Sequence, residues 1–175
     1  MKVLVVLNPD ELEAAAHGGI NRRIRAMQKD RRPNQPERPE HEQNWWQTDI
    51  IGAIGEYAVA KALGQQWQDL TSDANGKDVL DYQVRTIENP KGGLKVRRHD
   101  NPLDIYILAQ VRKNHVLIHG WMPGHQVIAW DHEIFPNCWT VPTPQLYSMV
   151  DLVHPVEWSD TVKPYETTVR ATENA

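Results

Sequence analysis

Asp104-Ile105-Tyr106-Ile107-Leu108-Ala109-Gln110-Val111 is followed by Arg112-Lys113-Asn114 and then by His115-Val116-Leu117-Ile118-His119-Gly120-Trp121. Two apolar, β-branched runs separated by three polar residues predict antiparallel strands joined by a short turn. Two shorter runs precede them, Asp81 to Ile87 and Leu94 to Arg98. Turn signals at Asn89-Pro90-Lys91-Gly92-Gly93 and at Asn101-Pro102 divide these runs. The four together predict an antiparallel meander with faces set by alternation. Upstream, the pattern is helical. Trp46, Ile50, Ile51, Ile54, Ala58 and Ala62 recur at helical spacing between about Glu42 and Leu63, and Gly64 offers a stop. The predicted class is α+β, a central mostly antiparallel or mixed sheet flanked by helices.

The N-terminal part adds a short buried strand over Lys2 to Leu7. Asn8-Pro9-Asp10-Glu11 is a cap-like start for a helix to about Asp30, with Gly18-Gly19 expected to interrupt it. Pro33, Pro36 and Pro39 mark a linker. They divide the chain into an N-terminal arm over 1–40, a core over 41–158 and a polar tail over 159–175. The Gly124 to Val141 stretch is mixed, and a short helix is expected from Gln145 to Leu152.

The 175 residues, 40% hydrophobic and 24% charged, suit one domain of ordinary size. Cys138 is the single cysteine, which excludes an internal disulfide framework and suits a reducing compartment. No apolar run approaches the ~20 residues of a membrane span, and the first seven residues are too short for a signal peptide. A cytoplasmic protein without a membrane partner is expected. Net charge is −4, but seven basic residues fall between Ile20 and Arg38 against two acids. Lys91 to Arg98 adds four more without an acid. Arg22, Arg23, Arg25, Lys95, Arg97 and Arg98 are therefore candidates for nucleic-acid contact at a defined place. Solvated surface charge is the plainer account of the same runs.

Chemistry concentrates in two segments. In Gly52-Ala53-Ile54-Gly55-Glu56-Tyr57, Glu56 lies on the helix between the small residues Gly52 and Ala60. A carboxylate there is rarely buried unless paired or metal-bound. Pairing with Lys61 or Lys95 is the plain structural alternative. In Lys77-Asp78-Val79, Asp78 ends a polar loop, and Gln83 and Arg85 share one face of the strand that follows. Helix acid, loop acid and strand pair are the parts that a divalent-metal nuclease needs: carboxylates to hold the ion and a cation for the phosphate.

These segments, with Leu94-Lys95-Val96, Asp104 to Leu108, Val116 to Met122 and Trp139 to Pro142, resemble the PD-(D/E)XK nuclease superfamily. The likeness covers about residues 50–152 and is to small phage or prophage proteins with a degenerate motif. It implies a restriction-endonuclease-like core and an Mg²⁺- or Mn²⁺-dependent hydrolase acting on nucleic acid, DNA foremost. By that likeness Glu56, Asp78 and the Val84 carbonyl are metal ligands, and Gln83 and Arg85 hold the (D/E)XK positions. An oligomer with itself, or a host or phage protein partner, fits the same setting. Gln83 replaces an acid: as a metal ligand its amide oxygen would complete the sphere but bring no charge, so affinity for the ion should fall. Arg85 replaces lysine, so it stabilises phosphate and does not act as a base. Asp81 could supply the missing charge. An inactive nuclease-fold module that binds nucleic acid or a host protein is the alternative.

Other signals are weaker. His125, His132 and Cys138 lack zinc-knuckle spacing. Cys138 has no nucleophile signature. His115 and His119 are expected at an edge or surface, and Trp45, Trp46, Trp121, Trp130 and Trp139 in packing roles.

Overall fold

A computed structural model describes residues 1–29, 45–69, 77–130, 133–135, 137–152 and 162–165. The proline-rich linker, loop residues 70–76, His132 and most of the polar tail lie outside the described residues. Strand β1 (Lys2–Val6) leads into helix α1 (Pro9–Gln28), and α2 (Trp45–Ala62) follows. Then come β2 (Tyr82–Ile87), β3 (Leu94–Arg97), β4 (Ile105–Arg112), β5 (His115–Pro123) and α3 (Gly124–Ala129). Strands β6 (Glu133–Phe135), β7 (Cys138–Val141) and β8 (Val162–Tyr165) complete the order. The class is α+β, and the main sheet is mixed.

That sheet has the order β2-β4-β5-β1-β8, and a smaller one has the order β3-β7-β6. β4 and β5 form the expected hairpin, with Arg112 opposite His115. The expected meander is corrected elsewhere: β2 runs parallel to β4, and β3 leaves for the small sheet, where it pairs with β7. Burial explains the difference. Tyr106, Ile107, Leu108 and Ala109 of β4 are all buried, so β4 needs cover on both faces. Only Leu94 and Val96 of β3 are buried, so one apolar face suffices there. Ile107 and Ala109 join a core with Val3, Val5, Ala58 and Val59 on the helix side. Tyr106 and Leu108 join Leu94, Val96, Val127 and Val141 on the other. The layers are therefore two helices, the main sheet, and the small sheet with α3.

The N-terminal segment is part of this core. β1 pairs antiparallel with β5, Val3 opposite Ile118, and also with β8. The Asn8 carboxamide accepts from the Glu11 amide at 2.9 Å while the Glu11 carboxylate accepts from the Asn8 amide at 2.8 Å, a capping box that starts α1. Gly18-Gly19 does not interrupt α1. A side chain on Gly19 would run into the backbone of Asp49 and Ile50, so the two glycines let α1 and Trp67 close on α2. The expected helix over Gln145 to Leu152 is also corrected. Two single 3₁₀ turns flank an extended Tyr147, whose amide and carbonyl bond Trp121 at 2.9 and 3.1 Å. Among the described residues no helix is long and apolar enough to cross a membrane.

Candidate functional site

The end of α2 builds one wall of the site. Gly64 adopts φ +66°, the Gln65 amide donates to the Ala60 carbonyl at 2.9 Å, and the Gly64 amide donates to the Lys61 carbonyl at 3.1 Å. This glycine-terminated turn satisfies two carbonyls at the end of the helix and sends the chain back along it. Trp67 and Asp69 are thereby returned to the side of α2 that carries Glu56. Trp67 packs between Gly18 and the Tyr57 ring, whose centroid is 5.4 Å away.

Glu56 is 4% exposed. Its partner is neither Lys61, which bonds Glu11 at 2.8 Å and the Val6 carbonyl at 3.1 Å, nor Lys95, which is exposed on β3. Arg22 of α1 donates from both terminal nitrogens to the two Glu56 carboxylate oxygens. Such a fork-on-carboxylate pair is the strong kind. Burial pushes the Glu56 carboxyl up to about 7; the Arg22 hydrogen bond opposes this, and the nearby Asp78 charge adds to it. Burial works against the Arg22 charge, but hydrogen bonds and charge from Glu56, with Asp78 and Asp69, raise its pKa further.

Asp78 enters from the other side. Its Oδ2 accepts from the Val84 amide at 2.7 Å, which fixes the carboxylate at the start of β2. Burial raises its pKa, opposed by that amide and by the charges of Arg85, Arg22 and Lys77. Among the described residues Asp78 has no cation within ion-pair distance, whereas its neighbours do. Lys77 pairs with Asp104, and Arg85 pairs with Asp100 at 3.0 Å while lying 4.9 Å over the Tyr106 ring. A cavity of about 210 Å³ opens beside Asp78, lined also by Ala60, Gln65, Trp67 and Leu80.

Glu56 and Asp78 are near enough for the Asp78 charge to act on Glu56. Gln83 and Arg85 are placed differently. Val84 belongs to the core on the helix side and Thr86 packs against Gly55, so alternation puts Gln83 and Arg85 on the opposite face of β2. Asp81 is exposed and does not turn inward. Of the basic candidates, Arg22 and Arg25 pair with Asp69 at 3.5 and 3.6 Å, and Arg23 pairs with Asp49. Lys95 and Arg98 are exposed.

Sequence reasoning did not find Trp67 or Asp69, which carry no motif, nor that Arg22 belongs to Glu56. His119, expected at a surface, is buried: a bulge opposite Leu108 and Ala109 turns it onto Gln110 at 2.9 Å. Trp46 and Trp130 are exposed. Cys138 is a buried thiol whose pKa burial raises, which makes it inert.

The two carboxylates suit a hard divalent cation in kind. Among the described residues no three of His, Cys, Asp and Glu gather to hold one. Arg22 also takes both Glu56 oxygens, so the pair fits a cation only once that guanidinium moves. Compared with known protein families, curated proteins and solved structures, the chain matches none.

Proposed function

We propose that the protein is a divalent-metal-dependent nuclease that hydrolyses phosphodiester bonds in nucleic acid, DNA foremost, in a phage or mobile-element setting. The observation that carries this reading is a pair of neighbouring carboxylates from separate elements, buried Glu56 and part-buried Asp78, the latter lining a cavity. Two neighbouring acids without a dedicated cation for each are costly in a purely structural role, and such sites gather where chemistry is done. Glu56 and Asp78 would hold Mg²⁺ or Mn²⁺. When bound, the ion would polarise a phosphoryl oxygen and acidify water. The Val84 amide orients Asp78, and Arg85, braced by Asp100 and Tyr106, keeps a permanent positive charge near it.

Plasmid DNA, linear DNA and RNA incubated with Mg²⁺, Mn²⁺ or EDTA test the reading. Cleavage is expected with metal and none with EDTA. Asp78→Asn should lower the rate by more than about 100-fold, beyond the cost of an outer-shell change. Wild-type cleavage by Asp78→Ala would remove the assignment.

A second reading, a nuclease-fold binding module without catalysis, is favoured by Arg22 on Glu56 and by Gln83 and Arg85 on the far face of β2. It predicts retarded nucleic acid, or a stable protein partner, with no metal-dependent product.

A further inference from the structure

Four buried side-chain polar atoms lack a hydrogen-bond partner among the described residues, and three of them belong to Arg22, which grips Glu56, and to its neighbours Trp67 and Asp69: Arg22 Nε, Trp67 Nε1 and Asp69 Oδ1. The fourth, His119 Nδ1, is elsewhere. Buried donors are almost always satisfied, so a concentration of orphans calls for a missing partner. Here two of the three are donors. Arg22 Nε faces Asp69 Oδ1 at 3.5 Å, an ion pair too long for a good hydrogen bond. The Trp67 N–H is near enough to Glu56 to favour its anion without a well-formed bond to it. Arg22 also stands on the solvent side of the pair, its side chain 22% exposed against 6% for Glu56. A ligand arriving from solvent therefore reaches the Arg22 side chain more readily than the Glu56 side chain.

We propose that Arg22 and the indole N–H of Trp67 form a binding subsite for a phosphodiester group of the nucleic-acid backbone, which Glu56 occupies in the ligand-free protein. The guanidinium turns from the carboxylate to two phosphate oxygens, a match its planar fork makes as readily as to a carboxylate. Trp67 Nε1 supplies the further donor. The exchange replaces one anion on Arg22 by another. Glu56 then needs a new countercharge, so phosphate binding and cation binding at Glu56 and Asp78 strengthen each other. This inference rests on the proposed action on nucleic acid for the identity of the phosphate. It adds that α1, which lies outside the nuclease-like stretch, supplies the residue that grips it.

Fluorescence anisotropy of a labelled short DNA duplex, its single strand and the equivalent RNA, all in EDTA, separates binding from cleavage. Arg22→Gln should weaken binding about tenfold and lower the slope of log affinity against log salt by about 1. Arg22→Lys should recover part of the loss, and Trp67→Phe should lose a smaller amount. Glu56→Gln should bind more tightly than wild type because Arg22 is released from its competitor. That gain should vanish in the Arg22→Gln/Glu56→Gln double variant, whose buried charge is balanced even if Arg22→Gln alone folds poorly. Inorganic phosphate and a mononucleotide, as competitors, should be far weaker than the oligonucleotide; equal potency would replace the backbone phosphodiester by free phosphate and overturn the assignment. So would failure of wild type to bind any oligonucleotide, or equal affinity of Glu56→Gln and the double variant. Arg22-dependent binding without metal-dependent cleavage upholds the subsite and removes the nuclease reading. Cleavage with unchanged affinity in Arg22→Gln does the reverse.

Discussion

Arg23 lies 5.3 Å over the Trp45 ring and pairs with Asp49 at 2.6 Å, itself only 6% exposed. Next to it in sequence, Arg22 is turned to Glu56. One basic run therefore holds a strut and a residue of the candidate site, and composition cannot separate them because the partners are 26 and 34 residues away. Arg23→Ala should lower stability by about 2–3 kcal/mol in urea titration, less than for a fully buried pair because Asp49 is partly exposed. Lys95→Ala, on the exposed face of β3, should change stability by less than about 0.5 kcal/mol. In the candidate site, Glu56 and Asp78 stand out in the sequence because an acid among small residues and an acid ending a loop are unusual in themselves. Arg22, Trp67 and Asp69 do not, since their roles come from a turn at Gly64 that no motif announces. His119 gives a pH signature. Burial first, and then the Lys2 charge, lower its pKa from 6.5 to about 4. Above pH 6.5 the ring is neutral in both states. As pH falls from 6.5 to 4 the unfolded chain takes a proton that the folded chain refuses, so stability declines across that window. His119→Gln should flatten the decline, read as the denaturation midpoint against pH.

The positions of β1 to β5 were legible within a residue or two, because β-branched runs bounded by Gly, Pro and Asn mark their own ends, whereas β6 and β7 fall in the stretch read as mixed and β8 in the expected polar tail. Pairing was not legible. Nothing local to Tyr82–Ile87 says that its neighbour is β4 and that the two run parallel. The double-sided burial of β4 decides this, and it becomes visible only when both cores are seen. Gly18-Gly19 was misread for a related reason. The same residue type that weakens a helix also lets a second helix approach, and only the neighbour distinguishes the two uses. Gly19→Ala should destabilise by about 1–3 kcal/mol, as overpacking does, since the obstacle is the Asp49 and Ile50 backbone. A thermal melt that left Tm unchanged would show the helices free to separate.

At the scale of the molecule, residues 1–29 serve both the scaffold and the candidate site. Deleting residues 1–29 removes an interior strand of the main sheet and the helix that carries Arg22. Such a protein should lack a cooperative unfolding transition by circular dichroism, whereas a true appendage could be removed with the transition intact. The interior place of β1 has a further consequence for synthesis. Lys2–Val6 is made before its partner Ile118, which follows roughly a hundred residues later, a wait of roughly 5–20 s at the ribosome. During that wait a valine-rich segment is exposed, the kind that self-associates. Lys2 on one side and Pro9-Asp10-Glu11 on the other flank it as gatekeepers, charged or unable to join a ladder, until β5 emerges.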